Sequence, residues 1–172
     1  MIVWITGLSG AGKTTLCDAL YARLLPVRPR VIKLDGDALR QAVSDDLSFC
    51  AADRVRQVRR VQGLCGLLAA QGADVLVSVL YANPALLAWN RENLPDYVEV
   101  YLKAGVEFLA ARDTKGLYRR ARAGLTRDVV GIDIPWSAPR NPDVVFDAER
   151  CPPVETMVDA VLAHLSARRH AA

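Results

Sequence analysis

Histidine is scarce in this 172-residue chain: His164 and His170, both near the C-terminal end, are the only two. Cysteine is hardly richer. Cys17, Cys50, Cys65 and Cys151 are scattered without metal-ligand spacing, so they read as core or surface thiols rather than as a zinc or redox centre. No hydrophobic stretch approaches the roughly 20 residues needed to cross a bilayer. The N-terminus has neither the basic start nor the cleavage site of a signal peptide, and the expectation is a soluble, cytoplasmic protein. A large excess of one charge sign is also lacking. A formal net charge of +3 gives no case for nucleic acid as a bulk polyanion, although clustered arginine still suits a small anionic ligand. Repeats and low-complexity tracts are absent, and the length suits one domain with a full core and is too short for two.

What the chain does have is GLSGAGKTT at residues 7 to 15, directly after Ile2 to Thr6, which read as a short buried strand. Gly7, Gly10 and Gly12 let the backbone turn tightly with no Cβ in the way. The amides of the loop, from Ser9 through Ala11, can then converge on a β-phosphate at a helix N-terminus. Lys13 is placed to reach the β- and γ-phosphates as a point charge, and the Thr14 hydroxyl to hold a bridging magnesium ion, with Thr15 as a second hydroxyl at the loop's end. This predicts binding of ATP or GTP with Mg²⁺, but not yet a kinase, because switches, motors and hydrolases share the loop.

The remaining apolar segments alternate between strand-like and helix-like. The pattern predicts strands at Arg30 to Leu34, Ala73 to Leu80, Tyr97 to Leu102 and Val144 to Asp147. Helices are expected at Lys13 to Leu25, Ala52 to Ala70, Pro84 to Asn93, Val106 to Arg112 and Val154 to Ala167, with fraying beyond. A strand such as VLVSVL is apolar on both faces, as a parallel sheet covered by helices on both sides requires. The fold class is therefore α/β, a three-layer doubly wound parallel sheet of the P-loop nucleoside triphosphate hydrolase and kinase type, with residues 1–172 as a single domain. Residues 113–140 interrupt the rhythm with Lys115, Arg119, Arg120, Arg122, Arg127 and Arg140 among scattered Gly and Pro, and read as a mobile lid.

A second cluster follows strand two: Asp35, Gly36 and Asp37, then Arg40 one helical turn on. In an open parallel sheet this carboxyl edge is where ligands bind, and the phosphate loop opens onto it. Asp37 is suited to hold the magnesium through water, to orient and deprotonate an attacking hydroxyl, or to do both; a competing reading makes both carboxylates helix caps. Arg54, Arg56, Arg59 and Arg60 follow on the next helix. Arg56 and Arg60 share a face that reads as solvated, whereas Arg54, just after Phe49 and Asp53, is drawn into the Asp37 cluster.

With these pieces in place the chain resembles the adenylylsulfate kinase family, which phosphorylates the 3′-hydroxyl of adenosine 5′-phosphosulfate (APS) with ATP. The resemblance runs from Ile2 to Asp147. It rests on GLSGAGKTT, LDGDALR at 34 to 40, DLSF at 46 to 49, DRVRQVRR at 53 to 60, RDTKGLYRRARAG at 112 to 124, GID at 131 to 133 and NPD at 141 to 143. It implies catalysis by Lys13 and Asp37 and magnesium held by Thr14 and Asp37. The acceptor would lie among Asp35, Arg40, Phe49, Arg54, Gln57 and Lys115, with Phe49 stacking on its base. It also implies a homodimer.

The departures from the family gather on the acceptor side. Gln57 stands where members usually carry asparagine, and Val129 and Val130 stand where a phenylalanine-threonine pair completes the stacking platform, so Val129→Phe is expected to favour adenosine acceptors. Ile134-Pro135-Trp136-Ser137 replaces Asp-Pro-Tyr-Glu, and Asn83 before Pro84 replaces a serine that carries phosphate in some members. Two acceptors follow: APS itself, or cytidine diphosphoramidate as in related kinases of surface-polysaccharide pathways, which the WNREN stretch at 89 to 93 resembles. A P-loop nucleotide-binding regulator is the alternative of another class.

Overall fold

Residues 1–81, 83–113 and 115–170 are described by a computed structural model of the chain. Five parallel strands, β1 (Ile2–Thr6), β2 (Val31–Asp35), β3 (Asp74–Val79), β4 (Tyr97–Lys103) and β5 (Val144–Asp147), form one sheet in the order β2-β3-β1-β4-β5. The central strand β1 is buried along its whole length. Its side chains alternate between the two faces. Val3 and Ile5 join Leu16 and Leu20 of α1 (Lys13–Leu24) and Val158 and Val161 of α7 (Val154–His170). Ile2 and Trp4 join Val58 and Val61 of α3 (Ala51–Ala70) and Leu86 and Leu87 of α4 (Pro84–Asn93). These are the three layers expected of a doubly wound α/β fold. Each large apolar side chain sealed in them contributes about 1.5–3 kcal/mol.

The regular elements lie within a residue or two of their expected bounds, except that α7 runs on through His170. The fraying expected at Ala171 and Ala172, and Thr114 of the lid motif, lie outside the described residues. Asn83 caps α4, its Oδ1 accepting from the Ala85 amide at 2.9 Å, with Pro84 in the first turn where a missing N–H costs nothing. Three further helices complete the chain: α2 (Gly36–Val43), α5 (Val106–Arg112) and α6 (Leu117–Arg122). Helices α2 and α6 were not expected. The first buries no residue fully, and the second sits inside the arginine-rich segment read as a mobile lid. Among the described residues no helix is long and apolar enough to cross a membrane.

Candidate active site

The phosphate loop leaves β1 at Gly7, where a Cβ would lie 2.6 Å from the carbonyl oxygen of Leu102 at the end of β4. Only glycine permits that approach. Gly12, left-handed at φ 97°, starts α1 with no capping side chain, so the first amides of the helix remain for a ligand. Lys13 Nζ donates to the Leu8 carbonyl at 2.8 Å. Although part of the residue reaches solvent, its ammonium is crowded beneath the loop. Desolvation pulls its pKa down to about 8 against Asp37 and Asp35, which hold the proton on, and Lys115 adds to the lowering. An anion bound beside it would add to the counter-charge that Asp37 and Asp35 provide.

Asp35 stands at the carboxyl end of β2, where the register sets it beside Ser78 of β3. One oxygen, Oδ2, accepts from Thr14 Oγ1 at 3.1 Å and from Ser78 Oγ at 2.8 Å; the other, Oδ1, caps α2 by accepting from the amides of Asp37 and Ala38 at 3.0 and 3.2 Å. Partial burial acts to raise its pKa, but the bonds from Ser78, Ala38, Thr14 and Asp37 outweigh it and hold the carboxyl below the usual range. The helix-cap reading of Asp35 therefore holds for one oxygen, while the other is turned to Thr14 and Ser78 at the cleft. Asp37 is exposed and, among the described residues, its carboxylate accepts no hydrogen bond, which leaves it open to a ligand. Ser78 was missed from the sequence; its one signal was a lone hydroxyl inside the apolar run VLVSVL.

A cleft of about 470 Å³ runs over this loop, lined by Ser9, Gly10, Lys13, Thr14, Thr15, Asp35 and Asp37 on one side and by Arg112, Lys115 and Tyr118 on the other. Lys115, expected on the acceptor, thus stands across from the phosphate loop. A smaller hollow of about 230 Å³ adjoins it through Gly10, Ala11, Gly12 and Thr15, with Phe108, Arg112, Pro152 and Met157 as its walls. Arg112 lies over the Phe108 ring at 5.4 Å and donates to Cys151 Sγ at 3.1 Å. Cys17 and Cys65, by contrast, are buried thiols whose pKa burial pushes up to about 12.

The acceptor candidates converge one turn further on. Gln57 of α3 is buried and reaches the Gly36 carbonyl at 3.5 Å through Nε2, while its Oε1 has no hydrogen-bond partner among the described residues. Phe49 is 53% exposed, with the guanidinium of Arg40 over its ring at 4.6 Å and that of Arg54 at 5.6 Å. Arg40 also donates to the carbonyls of Leu47 and Ser48, at 3.2 and 2.8 Å. Arg54 donates through Nε to the Phe49 carbonyl and through Nη2 to the Asp128 carbonyl, both at 2.8 Å. Burial and the like charge of Arg40 pull its pKa down. Two cations held against one ring call for an anion between them. Arg56 and Arg60 instead pair with Asp46 and Asp53 on the surface.

The segment 113–140 is built onto the body by more than its charges. Tyr118 of α6 is buried and donates to the Ser9 carbonyl at 2.9 Å, and Ala121, Val129, Val130 and Ile134 join the core. Val129 is 4% exposed, so the positions read as an open half of a stacking platform are occupied core.

A parallel sheet in this order, a glycine-rich loop feeding a helix, and a cationic second site define a P-loop kinase. The adenylylsulphate kinase family profile matches residues 1–147, and the chain belongs to that family. It is 41% identical over 165 residues to the adenylyl-sulfate kinase of Paraburkholderia xenovorans, covering 95% of this chain and 92% of that one. With the adenylyl-sulfate kinase of Deinococcus deserti it shares 42% identity over 164 residues, covering 95% and 90%. The APS kinase CysC of Mycobacterium tuberculosis, solved in complex with AMPPNP and APS, superposes with a TM-score of 0.87 at 33% identity over 96% of each chain.

Proposed function

We infer that this protein is an adenylyl-sulfate kinase, transferring the γ-phosphoryl group of ATP to the 3′-hydroxyl of APS. The observation that carries this is the pairing of an intact phosphate loop with a second, arginine-lined site one helical turn from Asp37, in a chain about 40% identical to adenylyl-sulfate kinases along nearly its whole length. The M. tuberculosis neighbour holds an ATP analogue and APS together, which supports the same two-site reading here.

In this reading ATP lies along the 470 Å³ cleft, its phosphates on the loop amides and Lys13, and its base enters the hollow beside Phe108 and Arg112. Thr14, Asp35 and Asp37 fit magnesium. The described residues hold no cluster of three or more His, Cys, Asp or Glu that would bind a metal alone, and magnesium characteristically takes one or two carboxylates and completes its shell with phosphates and water. When bound, it neutralises charge on the transferred group. Asp35, by accepting the Thr14 proton, leaves the Thr14 oxygen lone pairs for that cation. Asp37, exposed and with a carboxylate that accepts no hydrogen bond among the described residues, orients the acceptor hydroxyl and takes its proton. Arg40 and Arg54 hold the acceptor's 5′ anion, Gln57 its ribose or base, and Phe49 offers a ring face once a guanidinium gives way. Residues 113–140 act as the lid of a single domain, with Lys115 bringing a further cation over the phosphates. Water exclusion before transfer is its role.

The test is ATP consumption by the purified chain with magnesium, comparing APS with cytidine diphosphoramidate at equal concentration. Turnover with APS is expected. Turnover with the cytidine compound alone assigns the acceptor site to a pyrimidine, and acceptor-independent slow hydrolysis alone favours a regulator.

A further inference from the structure

A polar cluster on the sheet, away from both nucleotide clefts, is left unused by this reaction. Glu99 lies within β4 and is 2% exposed. Its Oε2 accepts from the Tyr97 hydroxyl at 2.9 Å; that hydroxyl receives Asn90 Nδ2 at 3.2 Å, and Asn90 Oδ1 receives Gln62 Nε2 at 2.6 Å. The chain of bonds runs from α3, which carries Arg54 and Gln57, through α4 to β4. At its far side stands Asp143, the last residue before β5, whose amide donates to the Glu99 carbonyl at 2.9 Å and whose Oδ2 accepts the Glu99 amide at 2.8 Å.

Arg91, at the end of α4, joins these parts. Its Nη1 donates to both oxygens of Asp143 at 3.2 and 3.1 Å, its Nη2 to the Asn141 carbonyl at 2.8 Å, and its guanidinium lies 3.7 Å from Glu99 and 5.5 Å from the Tyr97 ring centre. Asn141 to Asp143 is where the 113–140 segment returns to the sheet. Residues 135–142 make no backbone-to-backbone hydrogen bond with described residues, so this limb is held by side-chain packing and by its two ends, the buried turn at 129–134 and the Asn141–Asp143 return. Upstream on the same limb, Trp136 stacks on Tyr101 with ring centres 6.2 Å apart, and the Asp128 carbonyl receives Arg54.

We propose that Arg91 is a positioning residue for phosphoryl transfer: by clamping Asn141 and Asp143 it fixes the return limb, and with it the Asp128 contact to Arg54. This rests on the kinase reading above. A fork of donors satisfies the Asn141 carbonyl and the Asp143 carboxylate at once, which a single ammonium does not reproduce. Loss of the clamp lets the limb drift while the phosphate loop, held by β1 and α1, stays in place. The consequence is selective: transfer to the acceptor suffers, and attack by water is relatively favoured.

The experiment compares the unaltered chain with Arg91→Met and Arg91→Lys. Hydrogen exchange at the bonded amides of residues 129–134 and of Asp143 is measured without nucleotide, and the ratio of acceptor phosphorylation to acceptor-free ATP hydrolysis is measured with magnesium. Arg91→Met is expected to speed exchange at these amides with α1 unchanged and to lower the ratio about tenfold, with Arg91→Lys between. Transfer and hydrolysis falling together in step with thermal stability would show a merely structural residue and overturn the proposal. Exchange at the amides of 129–134 and Asp143 unchanged in both variants overturns it as well. A lack of acceptor turnover by the unaltered chain counts against the kinase reading instead, and the exchange comparison then still decides whether Arg91 holds the limb.

Discussion

The hydroxyl of Thr14 and that of Ser78 donate to the same oxygen of Asp35, at 3.1 and 2.8 Å. Because that oxygen can only accept, it dictates which way the Thr14 proton points and leaves the lone pairs facing the cleft. In Asp35→Asn the cap on α2 survives, since asparagine caps as well as aspartate. The oxygen facing Thr14, however, becomes a donor, which turns the Thr14 proton toward the cleft. Folding stability is expected to change by only about 1 kcal/mol. Turnover should fall on the order of a hundredfold, and the magnesium concentration for half-maximal rate should rise. Thermal unfolding and a magnesium titration of the rate check both halves.

Lys13 carries a pH signature. Its pKa of about 8 in the free protein lies below the unfolded value of about 10.4. Between those values the unfolded chain binds the extra proton, so this residue's contribution makes stability rise with pH from 8 to 10, with the full penalty present below 8. Phosphates restore the higher pKa, so ATP binding is expected to take up a proton near pH 8.5 and none on this residue near pH 6.5. Titration calorimetry in two buffers of different ionisation enthalpy measures this. Lys13→Met should abolish that uptake and lower turnover at least about a hundredfold.

Val129→Phe tests how far the sequence was legible. The strands and long helices were, because apolar runs of β1 and β3 and the periodicity of α3 report burial directly. Helix α2 was not, since it buries nothing fully and depends on the Asp35 cap, nor was α6, which starts at a left-handed Gly116 and hides only Tyr118 and Ala121 among arginines. The side chains of Asp35, Arg54 and Asp37 could be nominated by type and spacing. Their partners, Ser78 and the Asp128 carbonyl, come from strand register and chain return that no local pattern encodes. Val129 is the reverse case: read as an open acceptor position, it lies in the core. Its replacement by Phe is therefore expected to cost about 1–3 kcal/mol through overpacking. A lowered thermal midpoint with unchanged base preference is the outcome; a stable variant that gains preference for adenosine acceptors would restore the original reading.

Gln57 separates stability from function at one atom. Among the described residues its buried Oε1 has no hydrogen-bond partner, a defect that costs about 1–3 kcal/mol in a folded protein. Gln57→Met keeps the length and removes the unsatisfied oxygen, so the free enzyme is expected to gain about 1 kcal/mol. If the oxygen is reserved for the acceptor, the acceptor KM should rise about tenfold, equivalent to about 1.4 kcal/mol, while the ATP KM stays put. Denaturant unfolding and steady-state kinetics with each substrate varied in turn distinguish this from a packing residue, for which stability alone would move.

The bond from the Tyr118 hydroxyl to the Ser9 carbonyl ties α6 to the phosphate loop, while Asp128, further along the same segment, meets Arg54 on the acceptor side. Burial pushes the Tyr118 pKa up to about 12, with Asp113 adding to the rise, so this hydroxyl stays a donor at any pH where the enzyme works. Phenylalanine keeps the packed ring and deletes only the donor, at a cost of about 1 kcal/mol. For a chain of this size that is about 2–4 °C in thermal midpoint. The loop, however, loses the hydrogen bond that α6 makes to its tip, where the kinase reading places the ATP phosphates. Tyr118→Phe is therefore expected to raise the ATP KM severalfold with the acceptor KM unchanged at saturating ATP. The opposite split, an acceptor KM that rises alone, would place α6 with Arg54 and Phe49 and remove it from the donor side.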